Sequence, residues 1–179
     1  MAQIKPVTPV KFFIAILTPR DFEREALLTT LSLLWGVVDY VSPSYDFECT
    51  DYYENEMGPA LSRFFVSFRH LIAPESIAAI KLMTHAMEWE RSVAGNRPFN
   101  LDPGYLDYQK VVLASLKFGG QKIHINQGVY ADLTLYYRKG SFTTFPWTFP
   151  DFQSPTYYSA LLEIRRLYKQ SSELEKISD

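Results

Sequence analysis

At 179 residues, 47% of them hydrophobic and 21% charged, the chain can bury a real core as one domain spanning 1–179, ordered over about 10–170, which excludes an intrinsically disordered class. Its formal net charge of −2 supplies no whole-molecule field for nucleic acid or anionic lipid, and no apolar run approaches the roughly 18 residues of a membrane span, so neither is an expected partner. The single cysteine, Cys49, excludes an intramolecular disulfide and a multi-cysteine zinc site, and Met1 to Val10 lacks the basic start and apolar core of a secretory signal; a cytoplasmic protein is expected.

Residues 10–17, Val-Lys-Phe-Phe-Ile-Ala-Ile-Leu, form a nearly continuous apolar run that suits a strand covered on both faces. Thr18-Pro19-Arg20-Asp21 reads as a helix N-cap, a proline at the first helical position and a carboxylate three residues on, and predicts a helix to about Trp35 stopped by Gly36. A second strand is expected over 37–48, with Pro43 marking an edge or bulge, then an acidic loop over 49–58. Leu61 to Phe68 reads as a third strand, and Pro74-Glu75 opens a helix with Ile77, Ile80, Thr84 and Met87 on one face. The two strand–helix units echo each other, because residues 11–16 match 63–68 position by position.

With a fourth strand over 97–101, this order predicts an α+β fold built on a ferredoxin-like, split βαβ sheet. Asp102 is read as the cap of a third helix, with Pro103 at its first position, running to Phe118 and halted by Gly119-Gly120. An antiparallel meander follows over 122–126, 129–138 and 141–145, with turns at Asn126-Gln127-Gly128 and Arg138-Lys139-Gly140. Residues 145–152 form a rigid aromatic connector, and Ser154-Pro155 starts a terminal helix that ends near Ser171, leaving a polar tail.

Candidate chemistry falls on a few segments. Asp102 would stand at the carboxyl end of a strand and the start of a helix, where α/β proteins place phosphate or carboxylate ligands, with Asn100 and Tyr105 orienting the ligand. The polar hairpin face carries Lys122, His124, Tyr130, Asp132, Thr134 and Tyr136, and a histidine opposite Tyr130 or Asp132 is a candidate general base or phosphate binder. The same face also reads simply as a solvated one. Glu54 and Glu56 of the acidic loop, with Asp102, offer oxygen ligands for a divalent cation such as magnesium, and Arg63 or Arg69 can pair with the loop carboxylates. His70 and His85 carry no motif and are read as surface or cap residues. Trp147, between Pro146 and Pro150, either stacks on a ring ligand or wedges the connector against the domain. No Gly-x-x-x-x-Gly-Lys-[Ser/Thr] phosphate loop and no Asn-Lys-x-Asp guanine reader is present.

Taken together, Tyr52 to Gly58, Asn100 to Leu106, Gly128 to Leu135 and Pro146 to Phe152 resemble the prokaryotic family called domain of unknown function 4416, over about Val10 to Leu167. The resemblance implies a single-domain cytoplasmic protein, and some relatives carry the label GTP-binding protein. Three functions are expected in descending order. The first is a small-molecule or nucleotide-binding module without a phosphate loop, using Asn100, Asp102, Tyr105, His124, Tyr130, Asp132 and Trp147. The second is an enzyme on a phosphorylated or nucleotide substrate, with His124 as base and magnesium held by Glu54, Glu56 or Asp102. The third is a protein-interaction domain anchored by Trp147 and Tyr157-Tyr158.

Overall fold

Continuous apolar runs have nowhere to go but the middle of a sheet buried on both sides, and that is where they lie. The computed structural model describes the backbone of residues 3–178 and the side chains of 3–173; Met1, Ala2 and Asp179, the ends of the expected domain and tail, lie outside the described residues. Nine strands, β1 (Val10–Pro19), β2 (Val38–Val41), β3 (Tyr45–Phe47), β4 (Leu61–Ile72), β5 (Asn100–Leu106), β6 (Lys110–Ser115), β7 (Ile123–Asn126), β8 (Val129–Arg138) and β9 (Ser141–Thr144), build one sheet. Its order is β2-β4-β1-β5-β6-β8-β7, with β3 also on β4 and β9 also on β8, and every pairing is antiparallel. The class is thus mixed α+β with a large antiparallel sheet.

Successive side chains of a strand point to opposite faces. Phe12, Ile14 and Ile16 of β1, with Phe64, Val66 and Phe68 of β4, meet the helices α1 (Glu25–Trp35) and α3 (Ile77–Glu90) on one face. Phe13, Ala15 and Phe65 meet Phe152 of the short α4 (Pro150–Gln153) and Tyr157, Leu161, Ile164 and Tyr168 at and along α5 (Tyr158–Ser178) on the other. Burial on both faces explains why β1 and β4 read as unbroken hydrophobic stretches. The high aromatic content goes largely into these layers: Phe12 stacks on Phe68 at 4.7 Å, and Phe65 contacts Phe152 and Tyr157 at 6.0 and 5.1 Å. Among the described residues no helix is long and apolar enough to cross a membrane.

Several expectations are corrected. Thr18-Pro19 does not cap a helix; both residues still pair with Ser62 and Leu61, so β1 runs to Pro19 and α1 starts only at Glu25. The strand expected over 37–48 breaks at Ser42-Pro43-Ser44 into β2 and β3, and the acidic loop folds a short α2 (Glu54–Met57). The strand expected over 97–101 starts at Asn100 and continues to Leu106. The terminal helix runs past Ser171 to Ser178.

The largest difference is the expected helix from Pro103 to Phe118, which is the hairpin β5–β6. Asp107 makes the turn: its carboxylate accepts the backbone N–H groups of Gln109 and Lys110 at 2.8 and 2.9 Å, an Asx turn that reverses the chain. Pro103, with no N–H to give, stands opposite Ile14 one residue before β5 begins to pair with β6 at Gly104. Long-range pairing of β5 along β1 therefore outweighs the local Asp-Pro helix-start signal. A Cβ on Gly104 would meet the Val112 carbonyl at 2.6 Å and the Phe13 ring at 2.9 Å, which is why this close crossing needs glycine.

Candidate functional site

β5 and β6 pair only over Gly104–Leu106. Toward the start of β5 the two strands part, leaving one flank of Asn100 to Pro103 without a strand neighbour, and a cavity of about 480 Å³ opens there. It lies in the range that holds small molecules. Its walls come from the start of β5, the end of β6, one face of α3, the 47–53 segment, Arg63 of β4, Arg97 and the Phe149 to Phe152 stretch.

The wall carries a continuous chain of ionic side chains. Arg97 donates to Glu56 and Glu88, at 2.8 and 2.7 Å, and to Asn100 Oδ1 at 2.8 Å. Asn100 donates from Nδ2 to Asp102 Oδ2 at 2.7 Å, and Arg63 Nη1 donates to the same oxygen at 3.3 Å. Arg63 Nε lies 3.0 Å from Asp151 Oδ2. Lys81 Nζ donates to the Leu101 carbonyl at 2.9 Å and stands 3.6 Å from Asp102 Oδ1. Glu88 also accepts the Leu101 N–H at 2.6 Å, so α3 grips the strand by a carboxylate on its N–H and an ammonium on its carbonyl. These two bonds satisfy backbone groups that the missing strand neighbour leaves open.

Burial and partners set the charge states. Burial opposes ionisation of Asp102, but Lys81, Arg63 and the Asn100 hydrogen bond outweigh it and hold this carboxyl below its ordinary range. Burial works against Arg63 too, and Asp151 and Asp102 more than reverse that, holding the guanidinium charged. Asp151 and Glu88 are pushed up by burial, only partly offset by Arg63 for the first and by Lys81 and the Leu101 N–H for the second. Burial also raises the Tyr53 phenol, and it raises the Cys49 thiol, with Asp151 adding to the effect. The wall therefore pairs a firmly ionised carboxylate, Asp102, with one reluctant to ionise, Asp151, across one guanidinium.

The cavity still offers unspent hydrogen-bonding capacity. Lys81 has three hydrogens and two acceptors, and the Asp102 side chain keeps 24% of its surface exposed. Rings of Tyr52, Tyr53 and Phe149 line the same space. Behind this wall, Lys122 donates to Ser115 at 2.9 Å, lies 3.4 Å from the buried Asp132 and sits over the Phe149 ring.

Of the residues singled out from sequence, the structure brings Asn100 and Asp102 together at this cavity, on a strand rather than at a helix start. Tyr105 points into the α1/α3 side of the core. His124 does face Tyr130 across β7–β8, with rings 5.4 Å apart, but neither lines the cavity. Asp132 is not on a solvated face. Val111 pairs with Leu135 and Val112 with Leu133, so Thr134 is an extra residue in β8; this bulge brings Leu135 onto the face of Asp132, which lies opposite Leu113 and is 1% exposed. Trp147 is not among the residues lining the cavity; its indole N–H donates to the Leu133 carbonyl at 3.0 Å and its ring stacks on Phe145 at 5.0 Å.

Glu56 is tied to Arg97, Glu54 lies on a separate shallow groove, and no group of three His, Cys, Asp or Glu side chains among the described residues is placed to hold a metal ion. Arg63 pairs with Asp102 and Asp151, not with the acidic loop, whose contact is Glu56 to Arg97. Sequence reasoning missed Lys81, Glu88, Arg97, Cys49 and Asp151. One signal was present: Lys81, His85 and Glu88 recur at i, i+4 and i+7, a second stripe along the helix beside the apolar one, and all three line the cavity.

No curated protein and no solved structure matches the chain. The family model described as domain of unknown function 4416 matches residues 8–168, and the chain belongs to that family.

Proposed function

We propose that this member of the domain of unknown function 4416 family binds a small molecule, of nucleotide-like character, in the cavity where β5 and β6 part. One observation carries the reading: a chain of buried ion pairs lines an open cavity instead of sealing a core. Charged groups are rarely buried without a purpose that offsets their desolvation. Here the wall leaves the Lys81 ammonium, the Asp102 carboxylate and the Tyr53 phenol facing space beside aromatic rings. Such a mix of flat apolar surface and a few convergent polar groups suits a planar, hydrogen-bonding ligand. Guanine nucleotides belong in the first screen because of the label some relatives carry, with magnesium supplied by the nucleotide complex. We also propose that the β2-β4-β1-β5 part of the sheet, with α1 and α3 as its crossovers, is a ferredoxin-like split βαβ unit; the strand order and the antiparallel pairings support this.

The test combines two readouts. Thermal-shift titration against nucleosides and nucleotides, each with and without magnesium, should give a ligand that stabilises by about 2.7 kcal/mol at 100 times its dissociation constant, or about 5–11 °C for a chain of this size. Cys49, the only cysteine, lines the cavity. The same ligand should slow maleimide labelling of Cys49. A stabilising ligand that leaves the labelling rate unchanged binds elsewhere and defeats the proposal.

A further inference from the structure

We infer that the ligand carries its negative charge on a tail held at the cavity mouth by Lys117, with an uncharged polar ring inside, so that the site takes planar rings bearing one carboxylate or phosphomonoester group rather than polyphosphates. This rests on the cavity being a binding site, as proposed above. Three cations line the interior, Arg63, Lys81 and Arg97, and so do three carboxylates, Asp102, Asp151 and Glu88. Each is committed: Arg63 to Asp102 and Asp151, Lys81 to Asp102, and Arg97 to Glu88 with Glu56 behind it.

An ion entering this balanced interior would have to leave water and compete with existing partners, whereas a neutral group with donors and acceptors meets the open capacity of Lys81 and Asp102. Lys117 is different. It lines the same cavity, is exposed, and among the described residues forms no ion pair with a carboxylate; its ammonium donates to the Tyr52 hydroxyl and sits 4.1 Å from the centre of that ring. Its contact also bridges the two segments that frame the mouth, 47–53 and the stretch after β6. A carboxylate or phosphomonoester on the ligand gains a charge-assisted bond there at little desolvation. One cation matches one such group, and among the described residues that line the cavity no second lysine or arginine free of a carboxylate is present for the further phosphates of a nucleoside triphosphate.

The experiment measures dissociation constants for matched pairs in which the same ring is offered neutral and with one anionic tail: adenosine and AMP, guanosine and GMP, indole and indole-3-acetate. ATP and GTP are added with and without magnesium. Proteins compared are the wild type, Lys117→Ala and Lys117→Arg, with melting of the ligand-free proteins as a folding control. In the wild type, at least one charged member should bind roughly tenfold more tightly than its neutral partner at low salt, with the gain shrinking toward 1 M salt. Lys117→Ala should abolish that preference while neutral-ring binding stays, and Lys117→Arg should restore it. The nucleotide pairs and the indole pair separate a phosphomonoester tail from a carboxylate tail. Equal binding of both members overturns the assignment of Lys117 while leaving the cavity reading intact. Triphosphates binding more than tenfold tighter than monophosphates with magnesium also overturn it. If no ring binds in either form, the cavity reading falls and takes this inference with it.

Discussion

Replacing Arg63 by Met removes the cation that joins two buried carboxylates and keeps much of the side-chain volume. The Arg63 side chain is only 4% exposed and packs over the rings of Phe47 and Phe152, contacts a methionine can partly reproduce. Asp102 would keep Lys81 and Asn100, but Asp151 would lose the only ion-pair partner it has among the described residues. Breaking a buried pair from one side typically destabilises by about 3–5 kcal/mol, which for a chain of this size lowers the melting temperature by about 6–20 °C.

The pH dependence follows with a definite sign. In the wild type the Asp102 pKa is lowered, so its contribution is present above the ordinary carboxylate range and lost as pH falls through the folded value. Asp151 is raised, so its burial weighs against the fold once pH climbs above its folded value. Without Arg63 both shift upward, and the variant takes up protons on folding that the wild type does not. Urea unfolding followed by tryptophan fluorescence at about pH 8, 6.5 and 5 should show a deficit that is largest at pH 8 and narrows toward pH 5. A loss below about 1 kcal/mol at neutral pH, or a deficit that widens on acidification, would refute the claim that Arg63 neutralises both carboxylates.

Three further outcomes are expected. Gly104→Ala places a Cβ 2.6 Å from the Val112 carbonyl and 2.7 Å from a Leu113 methyl, so the urea midpoint should drop by the equivalent of about 1–3 kcal/mol; an unchanged midpoint would remove the close-crossing argument. Asp39→Ala strands the fully buried Lys11 ammonium, which otherwise pairs with Asp39 while Ser67 donates to the same carboxylate at 2.7 Å. Burial already lowers the Lys11 pKa despite Asp39, so the variant should lose about 3–5 kcal/mol at neutral pH and recover part of it as pH rises toward the ordinary lysine range; recovery on acidification instead would be the wrong sign. Cys49, raised by burial and by Asp151, should alkylate with iodoacetamide more slowly than glutathione at pH 7.5; an equal or faster rate contradicts that environment.

Periodicity revealed what depends on local pattern and failed where a distant strand decides. β1 and β4 were legible as buried strands because, Lys11 and Arg63 apart, every side chain of their buried stretches is apolar or small, and the β7–β8 hairpin because Asn126-Gln127-Gly128 has few alternatives to a turn. Asp102-Pro103 carried a strong helix-start signal, yet seven consecutive residues of β5 pair with β1, a partner more than eighty positions away that no local window registers. The bulge at Thr134 was equally invisible: one extra residue moves Leu135 onto the face that Asp132 occupies, and it shows in the register against β6, not in residues 129–138 themselves. At the site, Asn100 and Asp102 could be found because they share one short segment. Lys81, Arg97 and Asp151 could not be joined to them, because the cavity exists only where β5 and β6 separate and five other parts of the chain close around the gap.

A wall of mutually paired charges raises the question of whether it holds the fold or holds a ligand, and a double substitution separates the two. Single replacements at a buried pair leave a charge stranded, whereas replacing both partners with groups of similar volume is often close to neutral. Asp151→Asn alone should destabilise moderately, since Arg63 keeps Asp102 and the new amide can still accept a bond from the guanidinium. Arg63→Met with Asp151→Asn removes the stranded carboxylate that makes Arg63→Met severe. The double variant should therefore be more stable than the sum of the single effects by about 1–3 kcal/mol, well outside the roughly 0.5 kcal/mol expected of independent sites. If the wall exists to hold a ligand, this double variant should still bind any ring ligand more weakly than the wild type, because the cavity surface has lost the guanidinium that fixes Asp102 in place. Additive effects, or full binding by the double variant, would mean that Arg63 and Asp151 neither act as a pair nor shape the cavity for its occupant.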